Sequence, residues 1–343
     1  MATATMTYKP NVLCSTAGMT EEDWLKWRTT GIGGSDAGTV LGVNPYRTKR
    51  ELFYDKTGVL PVNEKDKDTL PLRWGKALEE TVAVEFSLKT GLRVYEIKEM
   101  YQHPIHTFMQ ANIDRFIDLP DGTTGILECK TANPNGKAKW DDGGVPFSYE
   151  VQVRHYMAVM NIDVAYIACL FDNSSDTMVI RKIERDLAFE AELIAAEEDF
   201  WHNNVLKNIP PEFVEAPELC FETIDKYVQA QISNTAFAIT GFDESLPKIA
   251  ELKDKKKQFE NEVKAVQAEI DKLVLPIIDA MGAETSGTAT VDGVKYDISY
   301  KPMTRTSINK DNLKRLHISH PDVYDQYVST TSSRRLNFKS TTI

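Results

Sequence analysis

The sequence predicts a mixed α+β (α/β) core, with a central mixed sheet flanked by helices, followed by a C-terminal extension built from a long helix and a β-hairpin. Three observations predict it. Helical apolar spacing with capping residues runs from Thr20 to Thr90, strand-like runs take over after Gly91, and a heptad-spaced helix with a second hairpin signal follows Pro210-Pro211. A chain of 343 residues exceeds what one average core needs, so the core is assigned to residues 1–215 and the extension to 216–343.

The elements follow in order. Residues 1–19 read as loosely structured. Thr20 and Asp23 have capping-box spacing and open a helix through Trp24, Trp27 and Arg28, which Gly31-Ile32-Gly33-Gly34 ends. Ser35 and Asp36 offer an N-cap for a short helix through Leu41. Thr48 and Glu51 cap another that stops at Gly58. Residues 61–70 are charged and read as a loop, and a long helix follows from about Leu72 to Thr90. LRVYEIKEMYQ, TFMQANIDRFIDL and GTTGILECKTA are three strand-like runs, with Asp121-Gly122 marking a hairpin between the last two. Residues 134–146 read as a loop. A helix over Ser148–Met160, two strands joined by a polar turn at Asp172–Asp176, and a helix over Leu187–Val205 complete the core.

Composition narrows the function. Hydrophobic residues make up 42% and charged residues 27%, as in globular proteins. No apolar run approaches the ~20 residues of a membrane span, and the N-terminus lacks a signal core, so a cytoplasmic protein is expected. The cysteines (Cys14, Cys129, Cys169, Cys220) show no C-x-x-C pairing and read as reduced buried thiols. A net charge of −11 argues against a protein that coats nucleic acid, but not against an enzyme that needs carboxylates for metal and a local basic track for phosphates. No Walker-type loop is present, so no NTP motor is expected.

The chemically informative stretch runs from Asp114 to Lys130. Strand side chains alternate, so Glu128 and Lys130 share a face while Cys129 points away. The hairpin can bring Asp114 beside them. Two carboxylates and an ammonium suit phosphodiester hydrolysis. Carboxylates bind Mg²⁺ that keeps its own waters, the ion acidifies a water, and a lysine orients it or stabilises developing charge. The Cys129 carbonyl can add a further oxygen. The bland alternative, a surface ion pair on a half-exposed strand, is opposed by the apolar run Gly125-Ile126-Leu127, which predicts a buried central strand where unused charges are costly. Glu79 lies on the helix before the sheet and can support a metal water. Gln152 and Tyr156 share one face of the helix after it, where Gln152 can bond a phosphate. Arg28, which ends one helix, and Ser35, which begins the next across a glycine run, read as an anion pocket or, equally, as a surface arginine and a cap. Trp24 reads as a core residue, and His103 and His106 as structural.

The segments WLKWRTTGIGGSDAGTVLGVNPYRTKRELFYDKTG, RWGKALEE, ANIDRF, GILECKTA and YEVQVRHYMAV stand in an order that resembles the YqaJ-like viral recombinase family, relatives of phage lambda exonuclease within the PD-(D/E)xK nuclease superfamily. The likeness covers roughly residues 20–205. It implies a PD-(D/E)xK core and a phage or prophage exonuclease that digests one strand of double-stranded DNA from the 5′ end, with Mg²⁺ (Mn²⁺ able to substitute). Such digestion leaves 3′ overhangs for a single-strand annealing protein. By position it implies Asp114 and Glu128 as metal ligands with the Cys129 carbonyl, Lys130 as catalytic lysine, Glu79 and Gln152 as accessory residues, and Arg28 with Ser35 as the 5′-phosphate pocket. It also implies a ring-shaped homotrimer. Asn112-Ile113-Asp114 departs from the superfamily's proline without touching the acid. An endonuclease or repair nuclease of the same superfamily, or a non-catalytic DNA-binding adaptor, are the alternatives.

The extension carries Phe259, Val263, Val266, Ile270, Leu273 and Ile277 at heptad spacing, a seam for oligomerisation or for folding onto the core. TATVDGVKYDISY follows as a hairpin turning at Asp292-Gly293. The basic segment from Lys295 to Lys339 is expected to touch DNA or a partner.

Overall fold

The computed structural model describes residues 8–62, 70–172, 177–228 and 237–329. It divides into two units, Met1–Gln231 and Ile232–Ile343. The first begins with β1 (Asn11–Ser15) and α1 (Glu21–Thr29). Thr20 caps α1 by accepting from the Asp23 N–H, as its spacing predicts. β2 (Ile32–Gly33) leads straight into α2 (Gly34–Val40), so the cap is Gly33 rather than Ser35 or Asp36. The cause is local: from the third helical position, the Asp36 carboxylate turns back to accept from the Gly33 N–H. Thr48 caps α3 (Lys49–Lys56), and α4 (Leu70–Thr90) stops at Gly91, whose φ of +73° favours glycine.

The first two apolar runs after Gly91 each break into two strands. The first gives β3 (Arg93–Tyr95) and β4 (Glu99–Gln102), the second β5 (Met109–Asn112) and β6 (Arg115–Asp118). Then come β7 (Thr124–Ala132), a 3₁₀ stretch over Pro134–Gly143 where a loop was expected, α5 (Phe147–Met160), β8 (Val164–Phe171) and β9 (Met178–Glu184). The runs break because the chain crosses between two sheets. One is ordered β1-β4-β5-β2, the other β3-β6-β7-β8-β9. The second is the mixed sheet expected: β7 and β8 run parallel, with α5 as their crossover, and its other pairs are antiparallel. α6 (Leu187–Asp199) runs on into a π-helical turn, Phe200–Val205. The turn expected at 172–176 lies mostly outside the described residues, as does most of the loop at 61–70.

β7 is buried on both faces. Ile126 packs with Val153, Tyr156 and Met157 of α5, and Leu127 with Val82 and Phe86 of α4. Burying each stabilises the fold by about 1.5–3 kcal/mol. His155 of α5, fully buried, bonds the Gln110 carbonyl of β5 through Nε2 and Glu197 of α6 through Nδ1, which fixes α5 against the sheet that feeds the site. α2 lies against α5 because Gly34 has no side chain: a Cβ there would sit 2.3 Å from the Tyr156 ring. Gly34→Ala is therefore expected to cost about 1–3 kcal/mol of stability by overpacking. Denaturant melts would show the loss, and an unchanged midpoint would contradict this packing.

α7 (Pro217–Tyr227) packs on α3, through Thr48 with Thr223 and Lys226 with Glu51. The unit boundary therefore falls beyond the 215/216 boundary drawn from sequence. Here the Pro210-Pro211 break ends one helix without ending the unit. The second unit holds α8 (Ser245–Met281), a hairpin of β10 (Ser286–Val291) and β11 (Val294–Ser299), α9 (Lys310–Ser319) and α10 (Pro321–Tyr327). Asp292 and Gly293, with φ of 50° and 77°, make the two-residue turn that their sequence predicts. The basic segment to Lys339 lies partly outside the described residues. Among the described residues no helix is long and apolar enough to cross a membrane.

Candidate active site

Glu128 and Lys130 leave β7 on the face covered by α5, with Lys130 Nζ 2.7 Å from Glu128 Oε1. Gln152 of α5 ties the pair together. Its Nε2 donates to Glu128 Oε1 at 2.6 Å, and its Oε1 accepts from Lys130 Nζ at 3.0 Å. Tyr156, one turn on, also receives the Gln152 amide, and the Tyr149 ring lies 5.0 Å from the Lys130 ammonium. Glu128 is 2% exposed, yet its Oε2 has no hydrogen-bond partner among the described residues. A buried carboxylate oxygen left open in this way is costly unless something else binds it.

Asp114 sits where the chain leaves β5 for β6. Pairing of β6 with β7 ends at Arg115 opposite Leu127, so the β7 edge beyond is open. The Cys129 N–H uses that opening to donate to Asp114 Oδ2 at 3.0 Å. In an extended strand a residue's N–H and C=O point the same way, so the Cys129 carbonyl faces Asp114 as well. The Cys129 thiol lies on the α4 side, where burial pushes its pKa up. Arg115 spans Glu79 at 2.6 Å and Glu80 at 2.8 Å, holding Glu79 of α4 toward this edge. Burial, then Asp114, raises the Glu79 pKa.

Burial and the neighbouring Glu128 push the Asp114 pKa up to about 7. Burial works against the charge on Lys130, but Glu128 and Asp114 outweigh it and raise its pKa. The cluster is thus short of positive charge at neutral pH. Its donors fit a hard divalent cation held partly by water. Among the described residues no three His, Cys, Asp or Glu side chains form a cage of their own, but two carboxylates and a carbonyl are a sufficient set for Mg²⁺. An ion there must displace the Asp114 proton below about pH 7. Mg²⁺ binding is therefore expected to release about one proton at pH 6, with affinity rising with pH to a plateau above about pH 8. Calorimetry in buffers of different ionisation enthalpy measures both, and binding without proton release at pH 6 would place the ion elsewhere.

A second cluster stands around Asp36, which is 1% exposed. Its carboxylate takes Lys56 at 2.7 Å, Arg28 at 3.0 Å and Arg47 at 3.4 Å. Burial alone would raise the Asp36 pKa, but these cations hold it well below the usual carboxylate range. Three cations share Asp36 and, through Arg47, Asp55, which still leaves positive charge in excess. Arg28 Nη2 also donates to Ser35 Oγ at 2.6 Å, so the structure brings Arg28 and Ser35 together. α2, with seven residues, adds little dipole of its own, and the side chains supply the charge. Trp24 is not a core residue: α1 buries none, and Trp24 instead stacks under Arg28 with the guanidinium 4.9 Å from its ring. One cleft of about 1010 Å³ is lined by Arg28 and Ser35 and equally by Glu79, Asp114, Glu128, Lys130 and Gln152.

The YqaJ-like viral recombinase domain matches residues 23–163, which contain Arg28 through Tyr156 of this cleft. The Bacillus subtilis (strain 168) protein YqaJ is 30% identical over 341 residues, 96% of this chain and 98% of that one. The chain belongs to the YqaJ-like viral recombinase family. Among solved structures, an alkaline exonuclease (LHK-Exo) from Laribacter hongkongensis is 22% identical, with a TM-score of 0.46 over 55% of this chain and 94% of that one. A phage related exonuclease from Haemophilus somnus 129PT is 14% identical, with a TM-score of 0.37 over 54% and 99%.

Several residues that support this YqaJ-like cleft without lining it escape sequence reasoning. Arg47 and Lys56 reach Asp36 from an adjacent loop and helix, and no spacing rule links them to it. Arg115 follows Asp114 directly, and its burial against Glu79 and Glu80 has no local signature in the sequence. His103 is structural, as expected. Its Nδ1 accepts from the Ile105 and His106 N–H groups in a turn, and burial lowers its pKa to about 4.

Proposed function

We propose that this cleft is the active site of a divalent-metal-dependent 5′-to-3′ exonuclease for double-stranded DNA, using Mg²⁺ or, in substitution, Mn²⁺. The observation that carries this reading is the shared cleft, in which a cationic Arg28–Ser35 pair opens on the same space as Asp114, Glu128 and Lys130. In this reading Asp114, the open oxygen of Glu128 and the Cys129 carbonyl are the ligands. The metal supplies positive charge against the scissile phosphate and acidifies a water. Lys130, held by Gln152 and Glu128, positions an attacking water and stabilises charge developing on the phosphate. Glu79 would accept from a metal-held water, and Gln152 holds Glu128 and Lys130 in place, reaching the phosphate only by giving up its bond to Tyr156. Arg28 and Ser35 hold the terminal 5′ phosphate. Water adds to phosphorus and the bond to the 3′ oxygen of the end nucleotide breaks. A 5′ mononucleotide leaves, and the shortened strand keeps a new 5′ phosphate for the same pocket.

Repeated cutting of one strand leaves a 3′ overhang, the substrate of a single-strand annealing protein, which agrees with membership of a viral recombinase family. The net charge of −11 is compatible with DNA handling if copies close into a ring, here a trimer, whose channel alone is basic. The setting proposed is a phage or prophage protein in the bacterial cytoplasm. The decisive comparison is linear 5′-phosphorylated duplex against the same DNA as a covalently closed circle. The linear form is expected to lose one strand while the circle stays intact, and cutting of the circle would show an endonuclease instead.

A further inference from the structure

We infer that α8 is a self-association element, pairing antiparallel with α8 of a second copy of this chain. The inference does not rest on the nuclease reading. The seam residues Phe259, Val263, Val266, Ile270, Leu273 and Ile277 are all exposed on this 37-residue helix. The same heptad extends upstream through Ile249 and Leu252, with Lys256 at a seam position opposite in phase to Phe259. An exposed stripe alone names no occupant; the charges flanking it do. On one flank stand Lys248, Lys255, Glu262 and Glu269, and on the other Lys253 and Glu260. Each flank is basic toward the helix N-terminus and acidic further along.

That polarity selects an arrangement. Two antiparallel copies centred between Lys257 and Gln258 place Lys248 against Glu269, Lys255 against Glu262 and Lys253 against Glu260, each pair occurring twice. The seam then matches Ile249 with Val266, Leu252 with Val263 and Lys256 with the Phe259 ring, while Ile270 faces Ser245, and Leu273 and Ile277 lie beyond the paired stretch. A slip of one heptad sets Lys255 against Lys255 one way, or Glu262 against Glu262 the other. A parallel pair sets Lys256 on Lys256 across the seam and Lys248 against Lys253. Of these arrangements, the centred antiparallel pair alone sets no like charges at directly facing flank positions.

Zero-length carbodiimide crosslinking of the full chain, read by mass spectrometry, tests this. Lys248 and Glu269 lie about 31 Å apart along one helix, so a link between them joins two copies. The wild type is expected to give it. Chains carrying Lys248→Glu with Lys255→Glu, or Glu262→Lys with Glu269→Lys, are each expected to self-associate through α8 at least about tenfold more weakly, because like charges then face each other. An equimolar mixture of the two is expected to associate again, read as co-elution of differently tagged chains in excess of either variant alone. Links from Glu262 or Glu269 to lysines of residues 1–231 would mean that α8 covers its own core, and would overturn the inference. So would absence of the Lys248–Glu269 link, or failure of the mixture to recover.

Discussion

Asp114→Asn is expected to lower the rate of DNA cleavage by about a thousandfold or more, and at the same time to make the metal-free protein more stable. The two effects share a cause. Burial and the charge of Glu128 push the Asp114 pKa up to about 7, so the folded protein holds a proton that the unfolded chain would release near pH 4. The sign follows. A carboxylate whose folded pKa is raised costs stability as pH rises from about 4 toward 7, and the cost is complete above 7. Asparagine keeps the acceptor for the Cys129 N–H and carries no charge. The variant should therefore gain on the wild type at pH 8 and show little gain at pH 4. Mg²⁺ should reverse the order by stabilising only the wild type. Glu128→Gln and Lys130→Met are expected to abolish cleavage to the same degree, since groups acting as one unit are not additive. Thermal melts at both pH values with and without Mg²⁺, beside single-turnover rates, check this. Wild-type rates in Asp114→Asn would remove the site assignment.

The second large effect concerns the DNA end. Duplexes with 5′-phosphate ends are expected to be degraded about 10–100-fold faster than 5′-hydroxyl ends, the range of a charge-assisted arginine–phosphate contact with a serine beside it. Arg28→Ala should erase most of that preference by slowing only the phosphorylated substrate. On hydroxyl ends the variant and the wild type should agree. Ser35→Ala should take a smaller share of the same preference, and Arg28→Lys should restore charge without the fork. Because Arg28 also pairs with Asp36, a melt must accompany each variant, while Lys56 and Arg47 remain to neutralise Asp36. Equal slowing on both substrates would make Arg28 a structural residue and leave the 5′-phosphate pocket without support.

Strand alternation made the central element legible. Gly125-Ile126-Leu127 read as buried, and Glu128 and Lys130 as sharing a face, because period two follows from backbone geometry alone. Capping at Thr20 and Thr48 was equally readable, since the cap bonds its own third neighbour. What escaped depends on contacts distant in sequence. The run around Asp114 looked like one strand, because a strand that changes sheets keeps its apolar composition through the kink. Gly33 displaced Ser35 as cap only because Asp36 bends back to it. The gathering of Arg28, Arg47 and Lys56 around one carboxylate has no local signature. The orphaned oxygen of Glu128 cannot be read from sequence at all, since it is defined by what its neighbours leave unbound.

Hydrolysis of DNA in this cleft with a divalent metal, beginning at a 5′ phosphate, has a direct readout. The most direct measurement follows a linear duplex labelled on its 5′-terminal nucleotide, phosphate intact, with Mg²⁺ and with a chelator. The label is expected to leave first, as a mononucleotide, only with the metal, while the complementary strand persists as a 3′ overhang. Release of label with chelator present, or an intact duplex with both Mg²⁺ and Mn²⁺, would contradict it.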